Sequence, residues 1–170
     1  MVDRVVQELR QHRGMPAPPR ARTDLEPLPG GEAADLGPLR AAAVDLGLSP
    51  ATADHLVARY GTEAQAILNL VAKDRALLAP LHPAHPAITA QVVHAARREL
   101  ARTVADVLIR RIHLRYETTD RGVRAAALTA RLMGQELGWG PEEIARQAEA
   151  YVAASADALN EERGAGGRSE

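Results

Sequence analysis

The residue types best able to do chemistry crowd into one stretch, Glu99-Leu-Ala-Arg-Thr-Val-Ala-Asp-Val-Leu-Ile-Arg-Arg111. On an ideal helix Glu99, Arg102, Asp106 and Arg110 share one face with alternating sign, at spacings of three and four that let opposite charges meet. Two readings fit that face. One is a solvated ladder of ion pairs, each worth roughly a few tenths of a kcal/mol; the other is a docking surface for another domain or a second subunit. On the same ideal helix Arg97 and Arg111 project toward Leu100, Val104 and Leu108, where an unpaired charge is costly. Each therefore needs a partner. It is either an acid of this chain, such as Glu99, Asp106 or one on a neighbouring helix, or a phosphate or carboxylate supplied by another domain.

Other reactive types are arranged less suggestively. His82 and His85 flank proline, with His94 and His113 farther on, but no Asp or Glu lies three or four residues beyond the first two to complete a metal set. Ser49 reads as a helix N-cap and Ser155 as part of a core stripe, with no Gly-x-Ser-x-Gly elbow. No Gly-x-Gly-x-x-Gly dinucleotide fingerprint with an acidic partner occurs anywhere. Arg97, Arg98, Arg102, Arg110 and Arg111 scatter around a helix axis with acids between them, which excludes a nucleic-acid stripe. No helix pairs a basic face with a broad apolar one, which excludes direct membrane insertion. Catalytic, cofactor-binding and metal-ligating residues are thus expected to be absent from this chain.

The elements that must hold these residues are helices. From Val2 to Gln11, Val2, Val5, Val6 and Leu9 recur at helical spacing, ending before Gly14. Residues 13–34 are dense in Pro and Gly and read as a linker. A stripe of Leu36, Leu39, Ala43 and Leu46 closes at Gly47. The next helix has Ser49 as N-cap, Pro50 at its first position and Gly61 past its end. A third starts at Thr62, with Gln65 at capping-box spacing. Pro80-Leu-His-Pro-Ala-His-Pro86 reads as a loop, because each proline disfavours helix in the residue before it. Ile88 to Ile112 is the longest periodic region, with a candidate break at Thr103, which Asp106 can complete as a cap. Two more helices run from about Asp120 to Leu137 and from Pro141 through Leu159, with Trp139 plugging the turn between them. A disordered tail is expected over 162–170.

Composition agrees. Hydrophobic residues make up 46% of the 170 but aromatics only 2%, with no Phe, so the core must be filled by Ala, Leu, Val and Ile, which suits helices. The net charge of -1 supplies no field to draw the chain onto nucleic acid or an anionic membrane. The absence of cysteine fits a reducing compartment, and early charges at Asp3, Arg4 and Glu8 break any signal-peptide core, so a cytoplasmic location is expected. The expected fold is all-α: an orthogonal bundle of about six helices behind a Pro/Gly-rich N-terminal linker.

Two ordered blocks carry a resemblance. Thr23-Asp-Leu-Glu-Pro-Leu-Pro-Gly-Gly31 is similar to the segment that follows the flavin domain in FAD-dependent glycerol-3-phosphate dehydrogenases and the related alpha-glycerophosphate oxidases. The second block comprises Arg59-Tyr-Gly61, Ala90 to Glu99, Asp106 to Arg111, Leu137-Gly-Trp139 and Tyr151, and it resembles the C-terminal helical domain of that family. Gln91 and His94 depart from it, standing where the family's glutamate and tyrosine are expected. The resemblance implies that residues 1–12 are a remnant of the last flavin-domain helix, 13–34 a linker and 35–161 the helical domain. It also implies that FAD and the oxidation of sn-glycerol 3-phosphate to dihydroxyacetone phosphate belong to a parent enzyme, peripheral on the inner membrane surface. This chain would then be a non-catalytic accessory domain, inactive alone, whose partner is the flavin domain or a second subunit, with Arg97, Glu99, Asp106, Arg110 and Arg111 as interdomain contacts. The alternative is a stand-alone helical protein-protein interaction module, favoured by an exposed apolar patch along Leu36 and Leu39 or along Val2, Val5 and Leu9.

Overall fold

The computed structural model describes residues 2–14, 16 and 25–166, with side chains described over 4–14, 16 and 25–156. Its helices, in chain order, are α1 Val2–His12, α2 Gly37–Asp45, α3 Pro50–Tyr60, α4 Ala64–Lys73, α5 Thr89–Arg98, α6 Leu114–Glu117, α7 Val123–Leu137 and α8 Pro141–Gly166. Short 3-10 turns cover Gly61–Glu63 and Arg75–Leu78, and a π-helix covers Asp106–Arg111. Helices dominate, as expected for an all-α fold. The portions of the N-terminal helix and linker at residues 1, 15 and 17–24, and residues 167–170 of the tail, lie outside the described residues. Helix α8 continues to Gly166, past residue 162.

The core is two clusters. One joins Ala43, Leu48, Leu56, Ile67, Leu68 and Val71 from α2 to α4, with Ile88 and Ala90 at the start of α5. The other joins Val92 and Ala95 of α5 to Val104, Leu108, Leu114, Ala126, Ala130, Met133 and Tyr151. Small residues make the second cluster compact. A Cβ at Gly134 on α7 would sit 2.6 Å from Ile144 Cδ1 on α8, so this glycine lets the two helices close on each other.

Several elements form for the reasons their sequence suggests. Ser49 accepts the Thr52 N–H, Pro50 opens α3, and Gly61 ends it in the left-handed region. Thr103 and Asp106 cap reciprocally: the Asp106 N–H donates to Thr103 Oγ1, and the Asp106 carboxylate accepts the Thr103 N–H, each at 3.0 Å. Trp139 packs against the second cluster beside Leu137 and Ile144.

Other expectations are corrected. The segment 80–86 is not a loop: β1 Pro80–His82 and β2 His85–Ile88 form an antiparallel hairpin around Pro83 and Ala84. Proline is tolerated because both strands of a two-stranded ribbon are edges, and side-chain anchors described below replace the missing alternation. Thr62 does not open a capping box; it lies in the 3-10 turn, its hydroxyl donates to Glu32, and Gln65 bonds Asn69 instead. The linker is also more structured than its composition suggests. The Thr62 N–H donates to the Gly30 carbonyl at 2.9 Å, and a Cβ on Gly61 would fall on that same carbonyl. The Pro-Leu-Pro-Gly-Gly segment is thereby pinned to the α3–α4 junction.

The long periodic region from Ile88 to Ile112 breaks earlier than Thr103. Helix α5 ends at Arg98, and the Ala101 N–H reaches back to the Ala95 carbonyl across Leu100, which has φ 57°. This is a Schellman-type end with leucine at the left-handed position where glycine is usual. Helix α6 and its left-handed lead-in, His113 at φ 64°, have no counterpart in the sequence reading.

Candidate functional site

Between the two clusters runs a polar seam. Helix α3 contributes His55, Arg59 and Tyr60, the hairpin His82 and His85, α5 Gln91 and His94, and the region from Glu99 to Asp120 supplies most of the remaining charge. Gln91, fully buried, accepts the Ile88 N–H at 3.0 Å, donates to Tyr60 Oη at 3.1 Å and lies 3.2 Å from His55 Nε2. The contact at Ile88 is the inward half of a capping box and fixes the start of α5. Burial, partly offset by the bond from Gln91, pushes the Tyr60 hydroxyl up to about 12. Burial first, and then the neighbouring His85 and Arg59, hold His55 down to about 4.

The hairpin is anchored through its histidines. His82 Nδ1 accepts the Ala84 N–H and its Nε2 stands 3.0 Å from Asp120; His85 Nδ1 accepts the Ala87 N–H and its Nε2 stands 2.7 Å from Glu117. A ring nitrogen that accepts must keep its lone pair, so in both rings the proton sits on Nε2 and is donated to the carboxylate. Burial raises the Asp120 carboxyl, but the Arg124 N–H, the His82 ring and the Thr118 hydroxyl outweigh it and hold Asp120 at about 2. Glu117 is lowered in the same way: burial opposes, while His85 and Arg59 prevail. These pairs tether the buried histidines of the hairpin to Glu117 at the end of α6 and to Asp120 in the α6–α7 connection.

Arg59 and Arg111 close the seam. Arg59 Nη1 donates to the Arg111 carbonyl and Nη2 to the Glu117 carboxylate, both at 3.0 Å. Arg111 in turn donates to the Glu99 carbonyl at 2.8 Å. Glu99 itself is poorly served. Its Oε2 has no hydrogen-bond partner, Arg111 stands 3.8 Å away, and His94 Nε2 is 3.9 Å from Oε1. Burial raises its carboxyl, with Arg111 and Arg59 pulling the other way and losing.

The five residues singled out from sequence therefore divide. Glu99 and Arg111 meet in the seam. Asp106 and Arg110 pair on the surface at 2.6 Å. Arg97 forms a two-point contact with Glu136 of α7, at 2.5 and 2.8 Å. The four-residue ladder does not form, because the left-handed turn at Leu100 resets the helical phase between Glu99 and Arg102. Both Arg97 and Arg111 have an acid of this chain beside them, Glu136 and Glu99 respectively. Sequence reasoning missed Arg59, Glu117, Asp120 and the roles of His82 and His85, whose partners lie 32 to 58 positions away. Beside this seam the surface is unusual for its apolar content: Leu100 is 76% exposed and Tyr116 72%.

Among the described residues the strands are confined to one antiparallel hairpin from Pro80 to Ile88, which lacks the Gly-rich strand–turn–helix cradle of a dinucleotide pyrophosphate. These residues do not fit FAD. No helix is long and apolar enough to cross a membrane, and no group of three or more metal-ligating side chains gathers among the described residues.

A family model described as the C-terminal domain of alpha-glycerophosphate oxidase matches residues 21–144. The chain is 36% identical over 153 residues to a glycerol-3-phosphate dehydrogenase of Synechocystis, covering 89% of the chain and 27% of that relative. It is 34% identical over 107 residues to glycerol-3-phosphate dehydrogenase 2 of Mycobacterium tuberculosis, covering 63% and 18% respectively. A probable mitochondrial glycerol-3-phosphate dehydrogenase of Caenorhabditis elegans is 34% identical over 109 residues, 62% of the chain and 15% of the relative. The chain thus spans little more than a quarter of the longest-covered of these relatives. No solved structure matches it.

Proposed function

Since this chain belongs to the family of the C-terminal domain of alpha-glycerophosphate oxidase, we propose that it works as the helical accessory domain of an FAD-dependent enzyme that oxidises sn-glycerol 3-phosphate to dihydroxyacetone phosphate. In this reading it binds the flavin-bearing part of that enzyme in the cytoplasm and carries no redox step. The FAD is held elsewhere, because the residues described here offer no cradle for it.

The observation that supports docking is the turn at Glu99 and Leu100. A leucine in the left-handed conformation costs about 1–2 kcal/mol that glycine would not, and this one exposes its side chain as well. Next to it sits a half-buried carboxylate with an unsatisfied oxygen. An apolar side chain held out under strain describes a surface that another protein completes, whereas the unpaired Glu99 oxygen is itself buried within this fold. Exposed Val5 and Leu9 on α1 supply a second apolar face of the same character. Asp106 and Arg110, on the π-helix that follows Leu100, belong to the proposed contact.

The test is reconstitution. The 170-residue chain is mixed with the flavin-bearing region of the Synechocystis dehydrogenase, and complex formation and glycerol 3-phosphate oxidation are followed. A complex that Leu100→Asp weakens supports the reading. Flavin bound by this chain alone, with turnover of glycerol 3-phosphate, would sink it.

A further inference from the structure

A separate cleft of about 340 Å³ lies between the C-terminal halves of α4 and α5, lined by Ala66, Asn69, Leu70, Lys73, His94, Arg97 and Arg98. Its chemistry is one-sided. No acid is among the lining residues, and every polar one can donate a hydrogen bond. Arg97 is held by Glu136 across the bidentate contact. Asn69 uses its carbonyl oxygen to accept from Gln65, which leaves its amide donors directed elsewhere. Lys73 and Arg98 are exposed, and among the described residues neither makes an ion pair. Buried His94 forms a wall, packed edge-on against Tyr60 at 5.5 Å, and its Nδ1 has no hydrogen-bond partner. Ala66 and Leu70 give the cleft an apolar portion.

Two observations separate this cleft from the solvated charges elsewhere on the surface. Other exposed arginines, such as Arg40, Arg110 and Arg146, are matched by Asp54, Asp106 and Glu143. Here Arg97 is matched by Glu136, while Lys73 and Arg98 line a concavity with no acid on its walls. Lys73 and Arg98 stand in the last turns of α4 and α5, where the helix dipole accounts for a single cation at each terminus but not for Arg97, Arg98 and Lys73 sharing one cleft.

We propose that the α4–α5 cleft binds a phosphate group, held by Lys73, Arg98 and the Asn69 amide, with His94 as its inner wall. A dianionic phosphate accepts from several donors at once and matches guanidinium geometry. The group is carried either by a small phosphate ester or by an anionic phospholipid headgroup. The apolar portion accommodates the organic part of either one. This site lies apart from the Glu99–Leu100 turn and does not depend on the docking reading.

The experiment is an amide NMR titration of the 170-residue chain with inorganic phosphate, against potassium chloride at matched ionic strength, together with flotation on phosphatidylcholine vesicles with and without phosphatidylglycerol. Saturable shifts at Asn69, Lys73 and Arg98 with phosphate, absent with chloride, identify a soluble phosphate ligand. Flotation only with phosphatidylglycerol identifies a headgroup. In either case Lys73→Ala and Arg98→Ala should each weaken the response about tenfold, the loss of one charge-assisted hydrogen bond. Both side chains are exposed, so the fold, checked by circular dichroism, should be unchanged. Equal responses to phosphate and chloride with no flotation, or a response that survives both substitutions together, would overturn the proposal.

Discussion

The two halves of this molecule are built under different rules. The half containing α2, α3 and α4 is regular: α3 starts at Ser49 and Pro50, positive φ falls on glycines, at Gly47 after α2 and Gly61 after α3, and all three helices turn aliphatic side chains onto one cluster. In the half that follows Arg98, left-handed backbone falls on Leu100, His113 and Arg121, and the helix between the first two is a π-helix. Irregularity of this kind persists only where surrounding contacts over-determine it, and it tends to gather at functional surfaces. The lesson is that the scaffold and the working surface can be told apart by where the backbone departs from what its side chains prefer.

The comparison breaks first if the halves are not energetically joined. Leu68→Ala and Leu108→Ala remove equally buried side chains from opposite clusters and should each cost about 3 kcal/mol. If the seam couples them, thermal unfolding stays a single transition in both variants; two separated transitions would show the clusters to be independent. Next in size, Gly61→Ala drives a methyl onto the Gly30 carbonyl and should cost about 2 kcal/mol, read as a lower midpoint in urea. Leu100→Gly should go the other way, stabilising the isolated chain by about 1 kcal/mol by relieving the left-handed leucine, while weakening its complex with the flavin-bearing partner. A loss of stability at Leu100 would remove the contrast on which the docking argument stands.

The smallest effect concerns acid. Asp106, Glu117 and Asp120 have carboxyls held below their ordinary values, so their contribution is present above pH 4.5 and fades as pH falls toward about 2, the value for Asp120. Glu99 is raised and acts in the opposite sense, contributing below its ordinary value and losing that contribution as pH rises. All four lie after α5, so an acid titration followed by NMR should loosen the hairpin and the α6–α7 connection before α3 and α4. Asp120→Asn should flatten that response.

How far the sequence announces this structure depends on how local the cause is. The caps at Ser49 and Thr103, the Pro50 start and the Trp139 plug rest on partners within a few residues, and each is legible. The hairpin is not, because what stabilises Pro80 to Ile88 is the grip of Asp120 and Glu117 on two histidines, and no window of sequence contains both sides. Arg111 needs a partner by burial alone, yet its bond is to a backbone carbonyl at Glu99, reachable only because the chain reverses at Leu100. The residues proposed for docking share this difficulty: their spacing suggests one charged face, and the phase reset at Leu100 distributes them over three places.

Arg59 has one further consequence. Its guanidinium grips the Arg111 carbonyl, Arg111 grips the Glu99 carbonyl, and the residues after Arg59 are those against which Gly30 is clamped. The incoming Pro/Gly-rich segment and the protruding leucine are therefore joined through one succession of backbone-directed hydrogen bonds that passes through Arg59.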